Sequence, residues 1–203
     1  MSFKSISSWI ISAQILLASV AFAQSTPDAL VKNVTDEVLT IVRTDKAIQA
    51  GDTQKAIDLV QAKVLPHFNF RHMTALAVGK DWRAASNEQK DKLTAEFSQL
   101  LVRTYSNALT QYKDQVIELK PMRNASTDTD VQVRTEIKQT GMQPVNIDYS
   151  LEKLQTGWKV YDVSVGGVSL VTNYRSGFAD SISKSGIDGL ITQLTDKNKA
   201  LAK

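Results

Sequence analysis

Residues 158–178, WKVYDVSVGGVSLVTNYRSGF, decide the predicted fold of this chain. β-branched and aromatic residues dominate residues 158–165 and favour a strand, and apolar side chains fall on both of its alternating faces. A strand of that kind is covered on both sides or borders a cavity. Gly166 and Gly167 then allow a sharp turn, because glycine tolerates positive φ angles. Apolar residues at helical spacing follow over residues 168–178, so the chain is predicted to turn back and cover the sheet.

Two segments upstream alternate in character with the period of two that is typical of a half-buried strand. The inward positions are Val131, Val133, Thr135 and Ile137 in the first segment and Val145, Ile147, Tyr149 and Leu151 in the second. Turn residues at Gly141 and Gly157 separate the strands. With a further strand predicted over residues 115–120, the pattern predicts a curved antiparallel sheet of four strands.

The remaining segments carry the apolar spacing of helices. Thr26 and Pro27 begin the first helix, as a cap and a first residue, and Ser86 and Gln89 form a capping box before the longest one. The later predicted helices cover residues 53–64, 68–78, 88–112 and 169–194. Helices packed on one side of an antiparallel sheet define the α+β class.

The first residues predict a signal peptide over residues 1–23. One lysine supplies a positive charge, residues 9–20 form a short apolar run, and Ala21 and Ala23 match a cleavage signal. That apolar run falls short of the ~20 residues that a membrane-spanning helix needs. Cleavage after Ala23 leaves residues 24–203, which are predicted to form a single domain.

Composition argues against several classes of function. The chain contains no cysteine, so no disulfide framework is available. Its formal net charge is +3, without a dense run of Lys or Arg, which gives no support to nucleic-acid binding. The two histidines, His67 and His72, lack the companion ligands that a zinc site needs. We therefore expect no metal site and no nucleic-acid partner.

Six short blocks, in order along the chain, carry a family resemblance. The blocks are Gly79-Lys80-x-Trp82-Arg83, Phe97-x-x-Leu100-Leu101-Val102-Arg103-Thr104-Tyr105, Tyr161-Asp162-Val163, Gly167-Val168-Ser169-Leu170, Asn173-Tyr174-Arg175-Ser176-x-Phe178 and Gly186-x-Asp188-Gly189-Leu190. Together they resemble the MlaC family, also known as the toluene-tolerance periplasmic proteins. The resemblance covers most of residues 24–203, and the ordered blocks are far more specific together than singly.

The resemblance implies a fold similar to the nuclear-transport-factor-two-like cone, with an apolar pocket between sheet and helices. It implies a periplasmic carrier that shuttles phospholipid between outer and inner membrane and so maintains outer-membrane lipid asymmetry. The implied partners are an inner-membrane ABC transporter complex with its substrate-binding ring and an outer-membrane lipoprotein–porin complex. It implies no cofactor and no catalysis, and we expect a monomer with only transient membrane contact.

The acyl tails are expected to contact the inward faces of the sheet, the long helix and the segment after the glycines. The candidate lipid-binding residues are Leu101, Tyr105, Val133, Ile137, Ile147, Tyr149, Val163, Val165, Val168, Val171, Tyr174 and Phe178. Residues 166–178 are expected to form a movable wall that hinges at the glycines. Arg175 is expected to bind a carboxylate or to lie in solvent, and Trp82 and Trp158 are expected to be structural.

Two other functions remain open. Asp162, beside Tyr161 and near Tyr174, is a candidate base for a small isomerase or dehydratase, since burial in an apolar pocket raises the pKa of a carboxyl group. Neighbouring strand residues point to opposite faces, which argues against the Asp162–Tyr161 pair and favours Asp162 as a cap or an arginine partner. A ligand-free adaptor between envelope proteins is the third hypothesis.

Overall fold

The protein is described from a computed structural model, which covers residues 25–122 and 127–202. The predicted signal peptide, residues 1–23, and its cleavage site lie outside the described residues. Within the described residues, an N-terminal group of helices precedes the sheet, and one long helix follows it. The predicted order of elements and the α+β class are therefore confirmed.

Seven α-helices occur in the described residues. They are α1 (Pro27–Thr44), α2 (Lys46–Gln49), α3 (Thr53–Lys63), α4 (Phe70–Val78), α5 (Asn87–Tyr105), α6 (Asn107–Thr110) and α7 (Leu170–Ala200), with 3-10 turns at Leu65–His67 and Gly79–Arg83. The short α2 was not predicted. The single helix predicted over residues 88–112 is divided at Ser106 into α5 and α6, and α7 is kinked at Gly186, where φ is +70°.

Caps explain where two of these helices begin. The predicted capping box is confirmed: the Gln89 amide donates to Ser86 Oγ at 3.1 Å, and the Ser86 amide donates to Gln89 Oε1 at 3.0 Å. α4 begins at Phe70 because the Asn69 side chain accepts a hydrogen bond from the His72 amide. Phe68, predicted as helical, instead forms an isolated parallel bridge beside the sheet.

The sheet has five antiparallel strands in sequential order. They are β1 (Val116–Leu119), β2 (Asp130–Lys138), β3 (Val145–Leu154), β4 (Gly157–Val165) and β5 (Val168–Ser169). The predicted antiparallel meander is confirmed, with one short strand more than predicted. Gly166 and Gly167 adopt φ of +57° and +84°, which closes a two-residue hairpin and pairs β5 with the end of β4 before α7 begins.

A β-bulge interrupts the alternation of β4. Ser150 pairs with Asp162 and Leu151 pairs with Val160, so Tyr161 is the extra residue of β4. A bulge of this kind redirects the side chains that follow it. The prediction that Tyr161 and Asp162 point to opposite faces is therefore wrong.

Downstream of the bulge the apolar pattern resumes. Val133 pairs with Tyr149, and Tyr149 pairs with Val163, so these three side chains share one face of the sheet. We call this the inner face, because Val133 is fully buried there and the other two pack against the same cluster. The inner face is the one that the N-terminal helix α1 covers through Val31.

The core consists of three clusters rather than one continuous block. The first joins α4, α5 and α7 around Phe97, which contacts the rings of Tyr174 and Phe178 edge-on at 5.1 and 5.2 Å. The second joins α1 to the inner face of the sheet, and the third joins α1, α2 and α3. Trp82 packs against the first cluster and Trp158 against the second, as expected of structural residues.

Candidate ligand-binding site

An apolar cavity of about 310 Å³ lies where the helices meet the inner face of the sheet. Helices α1, α3, α4, α5 and α6, strands β3 and β4 and the first residue of α7 all contribute to its wall. Its lining includes Val60, Met73, Leu101, Tyr105, Leu109, Ile147, Tyr149, Val163 and Leu170. A concave space with this lining suits an apolar ligand that is held by burial rather than by charge.

Five of the twelve candidate lipid-binding residues lie on the cavity wall. They are Leu101, Tyr105, Ile147, Tyr149 and Val163. Sheet register and helical period thus bring together residues from α5, β3 and β4. Whether each of them contacts a ligand stays a prediction.

The other seven candidates lie elsewhere in the fold. Val171 and Phe178 are buried in the first cluster with Tyr174 beside them, and Val133 is buried in the second cluster on the inner face. Val165 and Val168 are 40% and 58% exposed, and Ile137 is partly buried near the same end of the sheet. The segment after the glycines therefore contributes Leu170 to the wall, not the stripe that was predicted from it.

Several wall residues were not among the candidates. Helical segments that precede the sheet supply these residues, which are Val60, Val64, Leu65, Met73 and Leu109. Their apolar character and helical spacing are the same as those of core residues. The sequence therefore offered no signal that would separate a residue facing a cavity from one facing a neighbouring side chain.

Few polar groups interrupt the wall, and most of those are paired. Burial raises the pKa of the Tyr149 hydroxyl, while a hydrogen bond with Thr135 acts in the opposite direction. Burial likewise raises the pKa of Tyr174, which interacts with Tyr105 next to the cavity. These tyrosines stay neutral over the physiological range, and the lining contains no Asp, Glu, Lys or Arg. The cavity therefore has no charged side chain that would select a ligand by its charge.

An uncharged apolar rim adjoins the cavity at one end of the sheet. Residues 139–147 and 163–174 contain no charged residue, although 22% of the chain is charged. The rim exposes Met142, Val145, Val165 and Val168, with exposed fractions from 40% to 65%. Val165 pairs directly with Ile147 of the cavity wall, so the rim continues the apolar surface outward from the cavity.

Asp162 acts as a structural tie. Its carboxylate accepts hydrogen bonds from the Val163 amide at 2.8 Å, from Ser169 Oγ at 2.6 Å and from the Val171 amide at 3.3 Å. Ser169 is in turn the N-cap of α7 and accepts from the Thr172 amide. The carboxylate therefore fastens the start of α7 to β4, which agrees with the predicted role of a cap and not with that of a catalytic base.

Asp162→Ala is expected to loosen the junction between β4 and α7. Loss of a capping carboxylate costs about 1–2 kcal/mol of stability, and the effect should concentrate at the start of α7. Hydrogen exchange followed by mass spectrometry should show faster exchange in residues 169–173. The control is Asp180→Ala, which removes an exposed carboxylate further along α7. Equal hydrogen exchange of residues 169–173 in both variants would contradict the conclusion that Asp162 holds the start of α7 against β4.

Arg175 joins the second turn of α7 to α4, a contact that was not predicted. Its Nε and Nη2 atoms donate to the Leu76 carbonyl oxygen at 3.0 and 2.8 Å. The acceptor is a backbone carbonyl near the end of α4, so the prediction of a carboxylate partner is wrong, while the residue is exposed, as the alternative prediction of a surface base had it. A cation at the C-terminal end of a helix also interacts favourably with the helix dipole.

A polar network lies beside the bulge, away from the cavity wall. His72 Nδ1 is 2.9 Å from Glu152 Oε1, and the His72 ring stacks on Tyr161 at 4.6 Å. The Tyr161 hydroxyl donates to Asp130, and burial together with that carboxylate raises the pKa of Tyr161 to about 12. In the part of the chain that the structure describes, no group of three or more His, Cys, Asp or Glu side chains is arranged to hold a metal ion.

A second depression of about 360 Å³ lies between the start of α1 and the turn that joins β3 to β4. Polar residues such as Ser25 and Thr156 line it beside Leu30 and Trp158, and Lys159, whose Nζ donates to the Pro66 carbonyl, adds a charged group. The wall of this depression is therefore more polar than that of the cavity. We therefore take the apolar cavity as the candidate site.

Helices over one face of an antiparallel sheet, with an apolar cavity between them, define a binding protein for an apolar ligand. No helix in residues 25–122 and 127–202 has the length and apolar character needed to cross a membrane. The chain belongs to the MlaC family, whose family model, described as MlaC protein, matches residues 32–196. The predicted family is thus confirmed, and membership agrees with the prediction of a binding protein rather than an enzyme.

Individual relatives match over most of their length. The chain is 25% identical over 182 residues to the intermembrane phospholipid transport system binding protein MlaC of Haemophilus influenzae, covering 88% of this chain and 85% of that protein. It is 27% identical over 180 residues to the toluene tolerance protein ttg2D of Pseudomonas putida, covering 86% and 82%.

A solved structure gives the corresponding comparison in three dimensions. The chain is similar to the phospholipid-binding protein from Ralstonia solanacearum, which was solved in complex with a phospholipid. The TM-score is 0.82 and the sequence identity is 39%, over 88% of this chain and all of the other. The α+β architecture is therefore shared with a lipid-binding relative.

Proposed function

We propose that this chain is a periplasmic carrier that binds phospholipid in the apolar cavity and shuttles it between outer and inner membrane. The observation that carries the proposal is the cavity itself, with apolar residues from both helices and sheet around it. The similarity to a relative solved with bound phospholipid supports the same ligand class. Asp162 is engaged in capping α7, and the Tyr149 hydroxyl is hydrogen-bonded to Thr135. Neither arrangement favours the isomerase or dehydratase hypothesis.

Burial of acyl chains supplies the binding energy in this proposal. Each buried methylene contributes ~0.8 kcal/mol, so long tails bind firmly without an ion pair. The head group then stays in water at the uncharged rim, and selectivity among head groups is weak. The cavity volume of about 310 Å³ is near the lower limit of the roughly 300–1,000 Å³ typical of ligand pockets. Binding of two full tails therefore requires the wall to move outward.

The proposed route of exchange is the uncharged rim. A tail that leaves the cavity at this end of the sheet passes the exposed apolar side chains of the rim, and residues 139–147 and 163–174 carry no charge. The proposed partners are an inner-membrane ABC transporter complex with its substrate-binding ring and an outer-membrane lipoprotein–porin complex, each reached by transient docking. We further propose export through the signal peptide of residues 1–23 and a monomeric mature chain, residues 24–203, that forms one domain.

Protein purified without added lipid is expected to carry diacyl phospholipid. Native mass spectrometry of the intact protein, followed by mass spectrometry of an organic extract, should detect lipids with the host membrane's mixture of head groups. Weak head-group selectivity follows from binding through the tails. A folded protein with a clean extract would favour the adaptor hypothesis, and strong enrichment of one head group would contradict binding by tails alone.

A further inference from the structure

One polar side chain on the cavity wall has no hydrogen-bond partner. Ser106 lies at the junction of α5 and α6, lines the cavity and is only 3% exposed. Its Oγ atom makes no hydrogen bond to any of the described residues. A buried hydroxyl without a partner is destabilising, and such groups are rare in native proteins. This one therefore requires an explanation.

The local backbone does not need the hydroxyl. The Ser106 amide donates to the Val102 carbonyl at 2.9 Å, and the Ser106 carbonyl accepts from the Leu109 amide at 3.0 Å. The side chain does not cap α6, although serine is a favoured capping residue. By contrast, Thr110, another buried hydroxyl nearby, donates to the Asn107 carbonyl at 2.8 Å. Alanine would serve the fold at position 106 equally well, so the partner of the hydroxyl lies in the cavity, as a ligand or as water.

We propose that Ser106 Oγ donates a hydrogen bond to the ester carbonyl oxygen of an acyl lipid bound in the cavity. This inference rests on the proposed function and adds a specific polar contact to it. The preceding residue, Tyr105, also lines the cavity and is 40% exposed, so the wall reaches the protein surface one residue away from the buried Ser106. In a diacyl lipid the ester groups lie between the buried tails and the solvated head group, at the corresponding depth.

The contact makes the cavity selective for a chemical linkage. A site that is built to hydrogen-bond a ligand discriminates against an analogue that lacks the partner atom, because its own polar group is then left unpaired. An ether-linked lipid has the same tails and head group as its ester counterpart but no carbonyl oxygen. The rest of the wall is apolar and does not distinguish the two linkages.

The test compares two synthetic lipids on the delipidated full-length mature protein. Dioleoyl phosphatidylcholine and its dialkyl ether analogue compete for binding, and the bound fraction of each is measured by native mass spectrometry. The wild-type protein is expected to prefer the ester roughly three- to tenfold, the range that one net hydrogen bond supplies. Ser106→Ala is expected to bind both lipids equally, and Ser106→Cys, a weaker donor of similar shape, should fall between.

Two controls separate this role from a structural one. Thr110→Ala removes a buried hydroxyl that is already paired, so it should lower the melting temperature and keep the ester preference. Ser106→Ala should leave the melting temperature of the lipid-free protein unchanged or higher, and should reduce the increase that the ester lipid produces. A lower melting temperature of lipid-free Ser106→Ala would overturn the inference.

The remaining outcomes discriminate among the hypotheses. Equal binding of ester and ether lipids by the wild-type protein, or a preference that survives in Ser106→Ala, overturns the inference and leaves the proposed function standing. Binding of neither lipid overturns both. Oleate serves as a third competitor: if it displaces the ester lipid more strongly from the wild-type protein than from Ser106→Ala, the hydroxyl serves a free fatty acid, and the ester assignment is wrong.

Discussion

Val163→Glu is expected to empty the cavity while the protein stays folded. Val163 lies on the wall beside Tyr149, so the new carboxylate would occupy the space proposed for methylene groups. Excluding even two methylenes, at ~0.8 kcal/mol each, lowers the affinity for lipid about fifteenfold, and burying an unpaired carboxylate against the tails lowers it further. Native mass spectrometry of the purified variant measures how much lipid remains bound, and circular dichroism establishes that the fold persists.

The matched control places the same charge on an exposed valine. Val116 lies on β1 opposite Lys138 and is 54% exposed, so Val116→Glu introduces a carboxylate in water beside a cation. This variant is expected to carry lipid at the wild-type level. If folded Val163→Glu also retains wild-type lipid, the ligand does not occupy the space beside β4, and the proposed site is wrong.

Phe97→Ala is expected to be the most destabilising of these single substitutions. The Phe97 ring is fully buried and meets both Tyr174 and Phe178, so its removal leaves a void at the centre of the helical cluster. Truncation of a buried phenylalanine costs about 3–5 kcal/mol of unfolding free energy. Urea denaturation of delipidated protein provides the measurement, because bound lipid would itself stabilise the folded state.

Leu154→Ala is the control for that measurement. Leu154 lies at the end of β3 and is 38% exposed, so its truncation should cost less than about 1 kcal/mol. If Phe97→Ala also lowered the unfolding free energy by less than about 1 kcal/mol, the cluster of α4, α5 and α7 would have to collapse into the space left by the ring. Its packing would then be looser than the structure indicates.

The sequence predicted those elements whose signals are local and repeated. The capping box at Ser86 and Gln89 marks the start of α5 within one residue, and the alternation along β2 and β3 gives both strands. Hydrogen-bond chemistry and side-chain period act over a few neighbouring residues in these cases. Such signals can be read from one chain without knowledge of its tertiary contacts.

The features that were missed depend on partners distant in sequence. The bulge at Tyr161 exists because β4 has one residue more than β3 opposite it, and no local pattern marks the extra residue. Arg175 was given the wrong kind of partner, because its acceptor is a backbone carbonyl 99 residues earlier in the chain. β5 formed where a helix was predicted, because the glycine hairpin holds Val168 against the end of β4.

The site was predicted only in part for a related reason. Leu101 and Val171 are both apolar residues at helical spacing and both belong to the first core cluster, yet only Leu101 also lines the cavity. What distinguishes them is whether a neighbouring side chain fills the space opposite, and this depends on all the elements around it. The family resemblance predicted that a pocket exists, but the residues that form its wall could be identified only from the three-dimensional structure.

The cluster that joins α1 to the sheet has a consequence for the order of folding. Val31 packs with Val131 and Leu151, residues that the ribosome adds at least one hundred positions later. Contacts so distant along the chain form late and slow the folding reaction, because a long loop must close before they contribute any stability. Helix α1 therefore has no apolar partner on the sheet until strands β2, β3 and β4 have paired. The cavity, whose wall needs both halves of the chain, can receive a ligand only after that last assembly step.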